Sequence, residues 1–247
     1  MNLCEVRITR KAFDGVTVLS EIDLSVAPGS FTALVGPSGA GKSTLLNVVS
    51  GLDSDYQGDL CWAADDRRRV GYLFQEPRLM PWLSARRNIE LVMPEPDAAV
   101  ARIDQLLQRV GLTGRGDALP GELSGGMQRR VALARAMAIE PDLLLLDEPF
   151  SSLDEPTADG LRRLLIALCR EQGNAVLLVT HNLREALSLA DRVLFLSRDP
   201  ATIVHREELA DTPRDDGQLR DPAGLLQDLL ARHPGILSGI VQSGDRG

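Results

Sequence analysis

The stretch Gly36-Pro-Ser-Gly-Ala-Gly-Lys-Ser-Thr44 constrains this chain more than any other. It has a glycine, four variable residues and then Gly-Lys-Ser, which is the spacing of a phosphate-binding loop. The flanks agree with the motif. Phe31 to Val35 is a short apolar run with strand character, and Leu45, Leu46, Val48 and Val49 recur at helical spacing until Gly51-Leu52-Asp53 breaks the pattern. A strand, a glycine-rich turn and a helix start aim several backbone N–H groups at one point, where the helix dipole adds roughly half a positive charge. The backbone of Gly36, Pro37, Ser38, Gly39, Ala40 and Gly41 forms the cradle, and Thr44 continues the helix start. Lys42 supplies a full positive charge for outer phosphates, and the Ser43 hydroxyl is placed to ligate Mg²⁺. Arginine dominates the basic residues, and lysine stands only at Lys11 and Lys42. The pattern predicts a nucleotide site.

Bulk properties narrow the rest. The 247 residues suit one large domain or two small ones, and 44% hydrophobic with 25% charged residues is ordinary globular composition. A formal net charge of −8 argues against nonspecific nucleic-acid binding, which needs a basic excess. The short runs Arg67 to Arg69 and Arg86-Arg87 read as solvated faces. Cys4, Cys61 and Cys169 are far apart and show no metal-ligand spacing, so they read as reduced thiols of a cytosolic protein. The first residues lack the apolar core of a secretory signal, and aliphatic runs such as Leu143 to Leu146 are far too short to span a bilayer. A soluble chain is expected, with any membrane role coming through a partner.

Along the chain, short strands are predicted over Leu3 to Ile8, Val16 to Leu19 and Ile22 to Val26, before the strand that enters the loop. Phe13 lies in the first connection; it is either a base-stacking surface or a core residue, and the residues alone favour the core. Val70 to Phe74 reads as a buried strand with Gln75 at its end, well placed for a metal or a water. The apolar stretch Leu79-Met-Pro-Trp-Leu83 reads equally as partner surface or core. An amphipathic helix over residues 97 to 110, N-capped by Asp97 and ended by Gly111, is scaffold. Ser124 then caps a second helix, and the paired Gly125 and Gly126 leave its first N–H groups bare, a second anion-binding feature.

Leu143 to Leu146 is an all-aliphatic strand ending in Asp147 and Glu148, which suits a central position in a parallel sheet. Asp147 is positioned to hold a Mg²⁺ shell, and Glu148 to polarise an attacking water. Residues Ser151 to Asp154 follow, then a helix, then the strand Ala175 to Thr180 with His181 at its carboxyl end. That is the ligand edge of an open α/β sheet, so His181 reads as catalytic alongside Gln75 and Asp147. Val193 to Leu196 reads as the last strand, and the polar tail beyond holds one short helix, begun by Asp221-Pro222 and ended by Pro234-Gly235.

With these pieces in place, the chain resembles the ATP-binding subunits of ABC transporters over about Leu3 to Leu196. Leu123-Ser-Gly-Gly126 with Met127-Gln128 is similar to the family's signature sequence, and Gln75, Ser151 to Asp154 and His181 fall where its Q-loop, D-loop and switch histidine are expected. Two departures stand out. Met127 replaces the commonest glutamine, and Gln128 and Arg129 come in the opposite order to the Arg-Gln usual after such a methionine. The stretch Phe74 to Leu83, followed by Asn88-Ile89, looks like the importers of nitrate, sulfonates, taurine and similar small anions.

The resemblance implies an α/β P-loop NTPase with a RecA-like, mainly parallel core, an N-terminal antiparallel β-subdomain and an inserted helical subdomain at about residues 80–138. Residues 1–204 would form the nucleotide-binding domain and 205–247 a tail. It implies ATP and Mg²⁺ as ligands, Phe13 stacked on adenine, Asp154 near the nucleotide, and Ser43, Gln75 and Asp147 around the metal. Glu148 would be the general base, His181 would stabilise the γ-phosphate, and Gln75 would sense it. Two copies would sandwich ATP head to tail, with the loop of one facing Ser124, Gly125 and Gly126 of the other. The region Gln75 to Ile89 would receive the transmembrane permease at the cytoplasmic face of the membrane, with a solute-binding protein acting indirectly on the far side. An exporter or lipid-transport ATPase would carry the same residues, and a soluble ATPase that remodels nucleic acid or ribosomes is the alternative of a different class.

Overall fold

The computed structural model describes residues 2–63, 68–93, 100–209 and 219–236. The chain divides into two compact units, one made of residues 1–68 with 175–247 and the other of residues 69–174.

In the first unit, β1 (Cys4–Phe13) lies between β2 (Val16–Val26) and β4 (Gln57–Trp62) in an antiparallel sheet. All three strands differ from expectation, β1 by running beyond Ile8 to Phe13, which was expected in a connection. Residues 16–19 and 22–26 belong to one continuous strand, joined through Glu21 at φ 48°. The strand β4 was not expected, because Gln-Gly-Asp-Leu-Cys-Trp is mostly exposed and lacks an apolar face; its backbone pairing with β1 holds it, with Val6 opposite Leu60. Phe13 is the last residue of β1 and pairs with Val16.

The same unit holds β3 (Phe31–Val35), flanked in parallel by β7 (Ala175–Thr180) and β8 (Arg192–Leu196). Every residue of β3 and β7 is buried, as expected for strands covered on both faces. A further strand, β9 (Ile203–Glu208), runs antiparallel to β8 and crosses the expected tail boundary at 204/205, so Val193 to Leu196 is not the last strand. Helix α1 (Lys42–Ser50) follows β3 and ends on Gly51 at φ 79°. Helix α6 (Leu183–Leu189) packs on β3 and β7, and α7 (Pro222–Arg232), N-capped by Asp221, packs on α6. Arg220, 3% exposed, anchors the start of α7 by donating to the carbonyls of Ala190 and Leu209.

In the second unit, β5 (Val70–Leu73) pairs in parallel with β6 (Leu143–Asp147), with Leu73 opposite Leu146. Helices α2 (Ala85–Glu90), α3 (Val100–Arg109), α4 (Gly125–Met137) and α5 (Glu155–Gln172) complete it. Ile103, Leu106 and Leu107 bury the expected apolar face of α3; the expected cap Asp97 lies outside the described residues. The arginine runs are tied to acids: Arg69 to Glu140, Arg86 to Asp104 and Arg87 to Glu90, while Arg67 lies outside the described residues. Among the described residues no helix is long and apolar enough to cross a membrane.

Candidate functional site

The motif Gly36–Thr44 comprises the turn between β3 and α1 and the first residues of α1, so the strand–turn–helix context required by the motif is present. Gly41 precedes α1 at φ 78°, and no side chain caps that helix start. The helix therefore presents backbone N–H groups and its positive dipole end without an internal acceptor on the cap. A side chain at Gly41 would have to push β2 side chains aside: a Cβ there would lie 2.7 Å from Val18 Cγ1 and 2.9 Å from Leu19 Cδ2. A Cβ at Gly39, also in the left-handed region at φ 80°, would meet nothing within 4 Å. Ser38, Gly39 and Ser43 are exposed while Lys42 is 5% exposed, so a buried ammonium lies beneath an open rim. Its Nζ donates to the carbonyls of Gly36 at 2.9 Å and Pro37 at 2.8 Å.

His181 follows β7 directly, and Val35 is the register partner of Thr180. The loop and the histidine thus leave adjacent parallel strands side by side at one carboxyl edge. The turn beyond His181 is fixed by Thr180, whose hydroxyl accepts from the Asn182 N–H at 3.0 Å and donates to Glu185 at 2.8 Å.

Phe13 is 48% exposed, so it is not the core residue that the residues alone favoured. Lys11 Nζ stands 4.4 Å from its ring centroid. That ammonium, itself buried, donates to Asp53 at 2.9 Å and to the Asp55 carbonyl at 2.6 Å. Burial opposes its charge, but the Asp53 hydrogen bond and the charges of Asp53 and Asp55 outweigh this and raise its pKa.

In the second unit Asp147 ends β6 and Gln75 follows β5 by two residues, and the two lie at a common edge because Leu73 stands opposite Leu146. Asp147 is 7% exposed, whereas Gln75 is exposed. Burial, followed by the charge of Asp147, pushes the Tyr72 phenol up. The loop after Gln75 is held from behind. Phe74 stacks on Tyr72 with centroids 3.9 Å apart, and Arg135 of α4 donates to the carbonyls of Pro77 and Arg78, both at 2.9 Å. Asn88, fully buried, accepts from the Met80 N–H at 2.8 Å and donates to the carbonyls of Met80, Leu83 and Ser84. Bracing by these residues leaves Trp82 72% and Met80 37% exposed, which decides between surface and core for that stretch.

Glu148 adopts φ 43° and Ser152 φ 61°, left-handed conformations that cost a non-glycine residue roughly 1–2 kcal/mol each. The turn between them closes through Ser151, whose N–H and hydroxyl donate to the Glu148 carbonyl at 3.1 and 2.9 Å. Asp154 N-caps α5 by accepting from the Thr157 N–H at 3.2 Å, and that bonding to Thr157 lowers its pKa.

Ser124 caps α4 as expected, accepting from the Met127 N–H at 3.3 Å. A Cβ at Gly126 would sit 2.8 Å from Thr157 Cγ2, so close packing of α4 on α5 requires glycine there. Gly125 is exposed and a Cβ on it would meet nothing within 4 Å, so among the described residues no packing demands that glycine.

Arg129, Arg135 and Asn88 were not expected as structural ties of the site. Their carbonyl partners lie elsewhere in the chain or in an irregular loop, where periodicity carries no signal. The pointers were the inverted Gln128-Arg129 order and the Asn88-Ile89 pair of the importer resemblance, and neither indicated what the side chains hold.

The family model described as ABC transporter matches residues 19–151. The aliphatic sulfonates import ATP-binding protein SsuB 1 of Pseudomonas savastanoi pv. phaseolicola is 46% identical, covering 94% of this chain and 92% of its own length. A protein of the same name from Streptomyces avermitilis is 47% identical over 90% of this chain and 83% of its own. Among solved structures, the dimeric bacterial ABC transporter cassette MJ0796 superposes with a TM-score of 0.73 at 30% identity, covering 83% of this chain and 98% of that one. MJ0796 in a post-hydrolysis dimer bound to ADP and Pi superposes at 0.71 with 29% identity, over the same shares of the two chains. These matches agree with the P-loop NTPase fold expected from the sequence, and they show that this chain belongs to the ABC transporter family.

Proposed function

We propose that this chain is the ATP-hydrolysing subunit that energises an importer of small anions, of the class of aliphatic sulfonates, nitrate or taurine. The observation that carries the ATPase reading is the shared edge of β3 and β7, where the phosphate loop and His181 emerge side by side. The cargo class rests on the relatives named for aliphatic sulfonate import and on the stretch Phe74 to Leu83.

In this reading the loop's N–H groups and Lys42 grip the β- and γ-phosphates, and Phe13 stacks on the adenine. Glu148 takes the proton of the attacking water, and His181 donates to the γ-phosphate oxygens as negative charge builds on them. The Ser43 hydroxyl, the Asp147 carboxylate and the Gln75 amide are hard oxygen donors of the kind Mg²⁺ takes, with few carboxylates beside the phosphates. Bound there, Mg²⁺ would neutralise charge on those phosphates. The uncapped α1 start fits the phosphates, and the buried carboxylate of Asp147 fits such a metal.

Two copies pair head to tail around two ATP molecules, each presenting Ser124, Gly125 and Gly126 to the other's nucleotide. The open space at Gly125 supports that reading, because a side chain there would stand between the helix start and a phosphate. Exposed Met80 and Trp82, braced by Asn88 and Arg135, offer a surface for a transmembrane permease at the cytoplasmic face. A solute-binding protein would act on the permease from the other side.

Affinity isolation of the tagged chain from detergent-solubilised native membranes tests this. Recovery with a multi-spanning membrane protein in near-equal amount, on which a sulfonate- or nitrate-binding protein docks, is the expected result. Recovery from the soluble fraction alone, with ribosomes or DNA-bound proteins, would overturn the transport reading.

A further inference from the structure

We infer that Arg129 is a positioning residue for hydrolysis: it ties the helix headed by Ser124 to the turn that carries Glu148 and so sets where that carboxylate stands. The inference rests on the reading of Glu148 as the base.

The geometry is direct. Arg129 lies on α4, five residues beyond the cap Ser124, and is 7% exposed. Its Nη1 donates to the Pro149 carbonyl at 2.8 Å and its Nη2 to the Ser151 carbonyl at 2.6 Å. The planar guanidinium thus grips two carbonyls on either side of Phe150, a grip that a single point charge reproduces only in part. Phe150 is 3% exposed and carries the Arg162 guanidinium 5.3 Å from its centroid, so the middle of the segment is held as well. Glu148 at φ 43° and Ser152 at φ 61° bound this segment, and such backbone persists only where its surroundings over-determine it. Arg129 supplies part of that determination from a different element.

The inverted residue order gains a reason. Gln128 Nε2 donates to the carbonyls of Pro120 at 2.9 Å and Leu123 at 3.2 Å, bracing the chain just before Ser124. Adjacent residues of one helix therefore reach in two directions, one to the approach of the Ser124 cap and the other to the Glu148 turn. A shift at the Ser124 end, where the second copy's nucleotide would sit, passes through this pair to the carboxylate.

The test is ATP turnover by the full-length chain carrying Arg129→Met, which keeps an apolar stem, or Arg129→Lys, each alone and combined with Glu148→Gln. Arg129→Met is expected to lower kcat by about 10–100-fold, the scale of a misplaced reacting group, with KM for ATP changed by less than about threefold. Arg129→Lys should recover an intermediate kcat, and in the Glu148→Gln background Arg129→Met should change the remaining rate by less than about twofold. Wild-type kcat in a folded Arg129→Met chain, or the same fold-loss in both backgrounds, would overturn the inference. If Arg129→Met does not fold, a lowered kcat at unchanged KM in Arg129→Lys supports it and wild-type kcat overturns it. Near-normal turnover by Glu148→Gln would instead overturn the base reading and this inference with it, which separates the two failures.

Discussion

The Lys42 ammonium donates to the Pro37 carbonyl at 2.8 Å, so the phosphate loop's cation is held against the loop's own backbone. With 5% of Lys42 exposed, the charge is desolvated and placed before any nucleotide arrives. Removing it takes away both the attraction for phosphate and a tie that keeps the loop in shape. Lys42→Ala should abolish nucleotide binding in a titration with a fluorescent ATP analogue, and unchanged affinity would contradict the cradle.

Gly39 and Gly41 separate backbone strain from lack of space. Both lie in the left-handed region, at φ 80° and 78°, but only at Gly41 does a Cβ collide with β2. Gly39→Ala should cost about 1–2 kcal/mol, the left-handed penalty alone. Gly41→Ala should cost about 1–3 kcal/mol more, because half-buried Val18 and fully buried Leu19 must both shift. Paired denaturant titrations measure the difference, and equal losses would show that the contact with β2 is soft.

Asn88 is the polar centre of the loop that presents Trp82, bonding in both directions with Met80. Asn88→Ala would take the partner from the Met80 N–H and the Leu83 carbonyl, both in a part-buried loop, and should lower stability by about 1–3 kcal/mol. Arg87, an exposed neighbour on the same helix, should tolerate alanine within about 0.5 kcal/mol. A loss no larger for Asn88 than for Arg87 would mean the loop is held by other contacts.

At the other end of the chain, Glu207 on β9 accepts from Arg232 of α7 at 2.6 Å and bonds His205 at 3.0 Å. Burial raises the carboxyl, but the Arg232 and His205 bonds and charges prevail and hold its pKa below the ordinary glutamate value. A depressed folded-state pKa means stability that is present above the unfolded value, about 4.3, and lost as pH falls through the folded one. The melting temperature of Glu207→Gln should therefore lie below that of wild type at pH 7, with the gap closing below about pH 4. A gap that does not depend on pH would contradict this.

The legible and illegible parts of the sequence divide on physical grounds. The loop, α1 and the cap at Ser124 could be read because each is specified by residues adjacent in sequence: glycines at fixed offsets, an apolar helix face and a cap hydroxyl. Strands β3, β6 and β7 could be read because burial on both faces leaves mainly apolar runs. Strands β4 and β9 have largely exposed or half-exposed side chains and are defined by backbone pairing to β1 and β8, which leaves no periodic trace. Glu21 broke the apparent pattern of β2 without breaking the strand. The ties made by Arg129 and Arg135 span 20 to 58 residues, so their partners are settled only when the elements pack.

Steady-state hydrolysis of Mg-ATP by Glu148→Gln tests the central claim most directly, because Glu148 is the residue assigned the proton of the attacking water. The account predicts turnover lowered by roughly 10²–10⁴, with ATP still bound and the variant trapped as an ATP-loaded dimer on sizing. Turnover near the wild-type rate would contradict it and move the base to another residue.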